Sequence, residues 1–342
     1  MTDKHAAVGV DLGATNLKIA VVDRLGAVLA ATTTPIAAQD GPDAVLAEIV
    51  EGVHAVIKAA SLTESQIVGV GVGTPGPLDL KKGVIVRSAN LPGWQDVPVR
   101  AYVQEKLGLP VVLENDGNAA AYGEYWAGAG RGGNAALADG KAAVADSKAA
   151  VADGGDMVML TLGTGVGCGV IIDGRILHGH FDNAAELGHM IVAAGGLACP
   201  CGQRGCLERY ASASAVARHA KAAVEAGEKS SLADRLRTSD GIDAEAVAQH
   251  AAAGDAVAKR VWDEACTYLA VACINIQHAY NPRRVVLGGG MALAGDFLVD
   301  RVRHYLQAGR WTLHDDLPEV TIAHLGYDAG TIGAAGLAWL AA

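Results

Sequence analysis

Aromatic side chains make up only 4% of this 342-residue chain, and just two of its residues are phenylalanine. Large rings therefore do not build the interior. Alanine, valine, leucine and isoleucine must do so, on backbones that approach one another closely. Basic residues are also outnumbered: 27 lysines and arginines face 37 aspartates and glutamates, for a formal net charge of −10. The missing basic footprint argues against nucleic acid or an anionic membrane surface as the main partner. No apolar run is long enough to span a bilayer. The opening stretch MTDKHAAVGVDLGATN has neither the long apolar core nor the cleavage site of an export signal. A cytoplasmic chain with reduced thiols is expected, which counts against disulfides among its six cysteines. The length allows two domains of ordinary size.

Three of the six cysteines, Cys199, Cys201 and Cys206, crowd one short loop that His189 precedes. Three thiols and an imidazole form a tetrahedral set suited to zinc. Gly202 and Gly205 stand between the last two thiols, where a tight knuckle needs positive φ. The spacing matches no standard zinc finger, so buried or disulfide-paired cysteines stay open as the alternative. Glu186 and Glu208 frame the loop.

Apolar periodicity organises the rest. Residues 6–30 alternate as strands, with turns at Gly13 and Gly26, and predict a three-stranded antiparallel meander. Helical spacing covers residues 42–60, 214–226, 244–252 and 255–280, with further helices from Asp296 and Gly330. Strands are expected at 67–72, 111–113, 157–162, 285–287 and 320–323, and a hairpin turns at Asp173-Gly174. A helix should begin near Ala119. The hexapeptide KAAVAD occurs twice, at 141–146 and 148–153, and reads as a duplication that lengthened a surface loop.

Two strand–turn segments share one chemistry. Asp11-Leu12-Gly13-Ala14-Thr15 and Leu162-Gly163-Thr164-Gly165-Val166-Gly167 place glycines and a threonine hydroxyl at turns. Such turns can offer backbone N–H groups to phosphate oxygens, and Asp11 could orient Mg2+ between them. Neither a Walker loop nor a dinucleotide fingerprint is present. Asp116 follows an apolar strand, where a carboxylate can take a proton from a substrate hydroxyl or simply cap a helix, as could Asn115. Gly288, Gly289 and Gly290 could lie flat against a nucleoside or merely turn the chain. Asn90, Asn115, Asp116, Glu186, His189 and Glu208 together make a sugar-sized set of polar groups.

In this order the residues resemble the ROK (repressor, open reading frame, kinase) family. The most specific part is Glu186-Leu187-Gly188-His189 with Cys199-Pro200-Cys201-Gly202-Gln203-Arg204-Gly205-Cys206-Leu207-Glu208; Glu114 to Glu124 and Asn90 to Trp94 look most like its glucokinase members. The resemblance implies an α/β fold, the actin-like (ribonuclease-H-like) two-domain ATPase fold with a cleft between the lobes. Residues 1–120 would form the first domain, completed by 328–342, and 121–327 the second. It implies Asp116 as general base toward a hexose 6-hydroxyl, and Asn90, Asn115, Glu186, His189 and Glu208 as sugar contacts. Asp11, Gly13, Thr15, Thr164 and Gly165 would serve the phosphates, Gly288–Gly290 the nucleoside, and His189, Cys199, Cys201 and Cys206 a structural Zn2+. The cofactors implied are ATP and Mg2+.

The sequence departs from the family pattern at Ala14, where many members carry glycine, at Asn183-Ala184-Ala185, and at the KAAVAD insertion. An ATP-dependent glucokinase is the leading expectation, working as a homodimer or homotetramer. The alternatives are an N-acetylhexosamine or mannose kinase, or a non-catalytic sugar-sensing protein. A repressor would need a winged helix before Asp11, for which this sequence shows no room.

Overall fold

The computed structural model describes residues 4–36, 41–88, 91, 93–131, 155–237, 241–313 and 315–342. The KAAVAD repeats and Asn90 lie outside the described residues. In chain order the elements are β1 (Ala6–Leu12), β2 (Asn16–Asp23), β3 (Val28–Pro35), α1 (Pro42–Ala59), β4 (Ile67–Thr74), β5 (Leu78–Asp79), β6 (Val84–Arg87), β7 (Gln95–Val97), α2 (Val99–Leu107), β8 (Val111–Asn115) and α3 (Asp116–Ala127). They continue with β9 (Met157–Leu162), β10 (Val166–Ile172), β11 (Arg175–Ile176), α4 (Glu208–Ala211), α5 (Ala213–Glu225), α6 (Ala244–Ala252), α7 (Ala256–Tyr280), β12 (Arg284–Gly288), α8 (Asp296–Ala308), β13 (Glu319–Ile322) and α9 (Ala329–Leu340). Among the described residues no helix is long and apolar enough to cross a membrane.

By contact the chain divides into two compact units. The first comprises residues 1–154, 169–185 and 324–342, and the second 155–168 and 186–323. In the first, a sheet runs β3-β2-β1-β4-β8. The expected meander is its antiparallel half, and β1, β4 and β8 are parallel. Strand alternation sends successive side chains to opposite faces. Val8, Val10, Val70 and Val72 go to one face, with Val45, Ile49 and Val53 of α1 in the same core. On the other face Ala7, Ala20 and Val22 meet Ile332, Ala335 and Ala338 of α9.

Gly9 and Gly71 are paired across β1 and β4. A Cβ on Gly9 would overlap the Thr331 carbonyl oxygen, and one on Gly71 the Ala334 carbonyl oxygen. On the helix side, a Cβ on Gly333 would overlap the Ala119 carbonyl oxygen, and one on Gly123 the Ala329 carbonyl oxygen. Helix α9 thus lies backbone against backbone on β1, β4 and α3. That close approach is what a core poor in rings and rich in glycine and alanine makes possible.

In the second unit β12 pairs in parallel with both β9 and β13. Helices α5, α6 and α7 begin on the side-chain caps Ser212, Asp243 and Asp255. Asn281 ends α7 in the left-handed conformation, just before Pro282. Arg284 is buried, and its guanidinium donates to Glu319 Oε2 at 2.7 Å.

Gly71→Ala should destabilise the chain by about 2–3 kcal/mol, because backbone cannot yield as a side-chain tip can. Thermal melting checks this; an unchanged midpoint would show that α9 is free to shift.

Candidate functional site

In the first unit the candidate residues gather at the carboxyl ends of the parallel strands, the edge where open α/β sheets present their ligand sites. Asp11 pairs in register with Gly73, and Gly73 with Glu114. A Cβ on Gly73 would lie 3.2 Å from the Ala119 Cβ and 3.8 Å from the Asp116 Cα, so the bare glycine lets the first turn of α3 approach β4. The turn after β1 is closed by Gly13 N–H on the Asn16 carbonyl at 3.0 Å, with Ala14 and Thr15 exposed. Ala14 does not take positive φ, so the missing glycine carries no strain there.

Helix α3 starts at Asp116, ahead of the expected Ala119, because Asn115 caps it. The Asn115 side-chain oxygen accepts N–H bonds from Gly117 at 2.9 Å and Asn118 at 3.2 Å. The capping duty that either residue could have filled falls to Asn115, and Asp116 stays exposed to solvent, with its Oδ1 accepting the Gly117 N–H at 2.8 Å. Crowding by surrounding protein pushes the Asp116 pKa above the ordinary carboxylate value, against the pull of the Gly117 N–H. Asp11 is pushed up to about 6, first by burial and then by Asp116, while Lys18 pulls the other way. Among the described residues the Asp11 carboxylate accepts no hydrogen bond.

Two buried glutamates support this edge, and sequence reasoning assigned neither a role. Glu114 accepts from the Asn115 N–H at 2.9 Å and the Asn118 amide at 3.0 Å, and pairs with His178 Nε2 at 2.7 Å. Glu124 is fully buried and accepts three backbone N–H groups, from Ala129, His324 and Leu325. A buried carboxylate needs such donors. Glu124 thereby ties the end of α3 to the segment leading into α9. A glutamate between apolar residues in a helix was the signal available for Glu124; His178 offered none, being 64 residues from its partner.

In the second unit, Gly163 N–H bonds the Gly165 carbonyl at 3.0 Å and closes the turn between β9 and β10, leaving Thr164 exposed. Glu208, the first residue of α4, accepts the Val166 N–H through Oε2 at 3.0 Å. A side chain on Gly165 would collide with that carboxylate, and one on Gly188 with the Val166 carbonyl. The Glu186–His189 segment and Glu208 therefore pack directly on the glycine turn. Glu186 itself is exposed. Ala185 before it has φ +68, a left-handed conformation that favours glycine. Gly289, with φ +79, follows β12 and sits against Leu162 at the end of β9, so both turns share one sheet edge. Among the described residues nothing lies within 4 Å of a Cβ built on Gly290.

His189, Cys199, Cys201 and Cys206 bring their ligand atoms within 4.8 Å of one another. His189 Nδ1 is 3.8 Å from Cys199 Sγ, and Cys201 Sγ is 3.6 Å from Cys206 Sγ. Zinc–sulfur bonds of about 2.3 Å at tetrahedral angles put sulfurs at about this separation. None of the six cysteines forms a disulfide. Gly202 and Gly205 take φ +93 and +87, as the knuckle requires. Burial and the neighbouring sulfurs push the Cys206 thiol up to about 12. The loop is pinned by Tyr210, whose hydroxyl accepts the Leu197 N–H at 2.7 Å.

The ROK family model matches residues 7–138 and 135–340. The chain belongs to the ROK family. A glucokinase of Halalkalibacterium halodurans is 36% identical over 327 residues, 95% of this chain and 92% of its own. A ROK hexokinase from Thermus thermophilus is 33% identical, with a TM-score of 0.76 over 98% of each chain. A ROK glucokinase from Streptomyces griseus, in complex with glucose and AMPPNP, is 31% identical, with a TM-score of 0.75 over 98% of this chain and 99% of that one. The actin-like α/β fold expected from the sequence is the fold of this chain.

The structure brings Asp11, Gly13, Thr15, Asn115 and Asp116 together at one sheet edge, and Thr164, Gly165, Glu186, His189, Glu208 and Gly288–Gly290 around the turns of the other. Because folding raises the Asp11 pKa, the native state holds the proton more tightly than the unfolded chain. Stability therefore falls as pH rises from 3.8 to about 6 and stays lowered above it. Asp11→Asn should melt roughly 2–6 °C above wild type at pH 8, with the gap closing below about pH 4. An equal or lower midpoint at pH 8 would refute the buried-charge assignment.

Proposed function

We propose that this chain is an ATP-dependent hexose 6-phosphotransferase, a glucokinase, with Asp116 as its general base. The observation that carries this reading is the division of labour at the start of α3. Asn115 takes the capping bonds, so Asp116 keeps an accessible carboxylate with a raised proton affinity. A base works best when its pKa approaches the working pH. Asp116 accepts the proton of the sugar 6-hydroxyl as that oxygen bonds to the γ-phosphorus. The bond from phosphorus to the bridging oxygen breaks, and ADP departs. Positioning and charge neutralisation dominate such transfers.

In this reading the turn at Gly13 and Thr15 and the turn at Thr164 and Gly165 offer N–H and hydroxyl donors to phosphate oxygens. Gly288, Gly289 and Gly290 receive the nucleoside, where the open face at Gly290 leaves space. Asp11, a carboxylate without hydrogen-bond donors among the described residues, suits Mg2+, which would neutralise phosphate charge when bound. Asn90, Asn115, Glu186, His189 and Glu208 contact sugar hydroxyls; Glu208 uses one oxygen for the Val166 N–H and keeps Oε1 for the ligand. The Cys3His set suits a structural Zn2+, with His189 Nδ1 toward the metal and Nε2 left for the sugar. The relatives named glucokinase, and the one that holds glucose with AMPPNP, support this choice of substrates.

Asp116→Asn should lower turnover by about 10²–10⁴-fold in a coupled ADP-release assay, while glucose binding by calorimetry stays within a few-fold. Near-normal turnover would remove the general-base role. The same assay run on glucose, mannose, N-acetylglucosamine, N-acetylmannosamine and fructose, with ATP or polyphosphate, tests the substrate choice; a stronger preference for another sugar would overturn it.

Elemental analysis should find one zinc per chain. Chelation or Cys201→Ser should lower the melting temperature and the glucose affinity together. A metal-free preparation with full stability and affinity would sink the structural-zinc reading.

A further inference from the structure

His178 stands in none of the roles above, yet its two ends join two parts of the first unit. Its imidazole Nε2 lies 2.7 Å from Glu114 Oε2. Its backbone carbonyl accepts the Ala184 N–H at 3.0 Å, which closes the loop that runs on to Glu186. Glu114 is only 3% exposed. Its second oxygen, Oε1, holds the Asn115 N–H and the Asn118 side-chain amide. Asn115 in turn holds the Gly117 and Asn118 N–H groups that begin α3. The order of dependence runs from His178 to Glu114, to Asn115, to the backbone of Asp116.

We propose that His178 is a positioning residue for phosphoryl transfer: through Glu114 it holds the cap that sets Asp116, and through its carbonyl it closes the loop before Glu186. The proposal rests on the reading of Asp116 as general base. Without the imidazole, Glu114 Oε2 is a buried acceptor with no partner, a state that costs more than the lost bond itself. The carboxylate must then turn toward water or another donor, and Oε1 turns with it. An error of about 1 Å in a reacting group can cost on the order of 10²-fold in rate.

The charged groups facing His178 are Glu114, from β8, and Asp182, from its own loop. The hydrogen bond to Glu114 raises the His178 pKa, burial opposes the rise, and the charges of Glu114 and Asp182 add to it. The folded pKa is therefore raised. The imidazole carries its charge below that raised value and loses it as pH rises through it. The neutral ring can still donate an N–H, so the latch weakens without opening.

The test uses the full chain with glucose and ATP. His178→Ala should lose about tenfold or more in kcat and raise the glucose KM several-fold, with the ATP KM little changed. Hydrogen exchange at the Gly117 and Asn118 amides should speed up at least tenfold. His178→Gln, which keeps an amide donor near the Nε2 position, should recover most of the rate. In wild type the His178 imidazole should titrate above an ordinary histidine by NMR, and Glu114→Gln should lower it. An Ala variant that melts near wild type with kcat and both KM values within twofold would overturn the proposal. So would unchanged amide exchange, or a Gln variant as impaired as the Ala variant. Exchange and titration need no turnover, so a wild-type chain that phosphorylates no hexose would refute the kinase reading without touching the latch.

Discussion

Helix α9 can reach β1 and β4 only because Gly9 and Gly71 stand side by side in the sheet, and much of the first unit follows from that contact. Where two backbones touch, no side chain can relax to fill or yield, so the spacing between helix and sheet is fixed by peptide geometry. Helix α3 is held against the same helix through Gly123 and Gly333. The start of α3 carries Asn115 and Asp116. Their placement relative to Asp11 is therefore set by a seam of bare backbone, more rigid than a layer of interlocking side chains.

Upon that seam sits a short chain of carboxylates with separate duties. Glu124 is spent wholly on backbone N–H groups and joins α3 to the approach of α9. Glu114 is spent on the Asn115 junction and His178. Asp116, between them in sequence, accepts the Gly117 N–H and faces solvent. Among the described residues Asp11 has no donor. The gradient from fully satisfied to unsatisfied carboxylates runs from the interior to the sheet edge, and perturbed acids collect where chemistry is done.

Much of this was legible in the sequence. Alternation gave β1, β2 and β3, and helical spacing gave α1 and α5 to α7, because each buries one clear face. The Cys3His loop was legible because thiols and glycines at that density have few other uses. The short strands β5, β6 and β7 were missed, since two to four residues carry no period. Helix α2 was missed although Val99, Val103 and Leu107 share a face and Gly108 closes it with φ +64; its polar remainder masked the stripe. In the site, residue types were readable and their division of labour was not. Only the coordinates distinguish Asn115 as the cap from Asp116, or reveal that Glu208 gives an oxygen to the Val166 N–H. The first is a choice between adjacent residues and the second a bond across 42 positions, and periodicity is blind to both.

The glycine seam also orders events during synthesis. The ribosome releases β1, β4 and α3 long before residues 329–340 exist. Until then the glycine-lined face of the first sheet has no cover, and Glu124 lacks the N–H groups of His324 and Leu325. The strands and helices of the second unit are all made by residue 323. The part of the protein begun first is thus the part finished last, and an interrupted chain would expose its oldest strands.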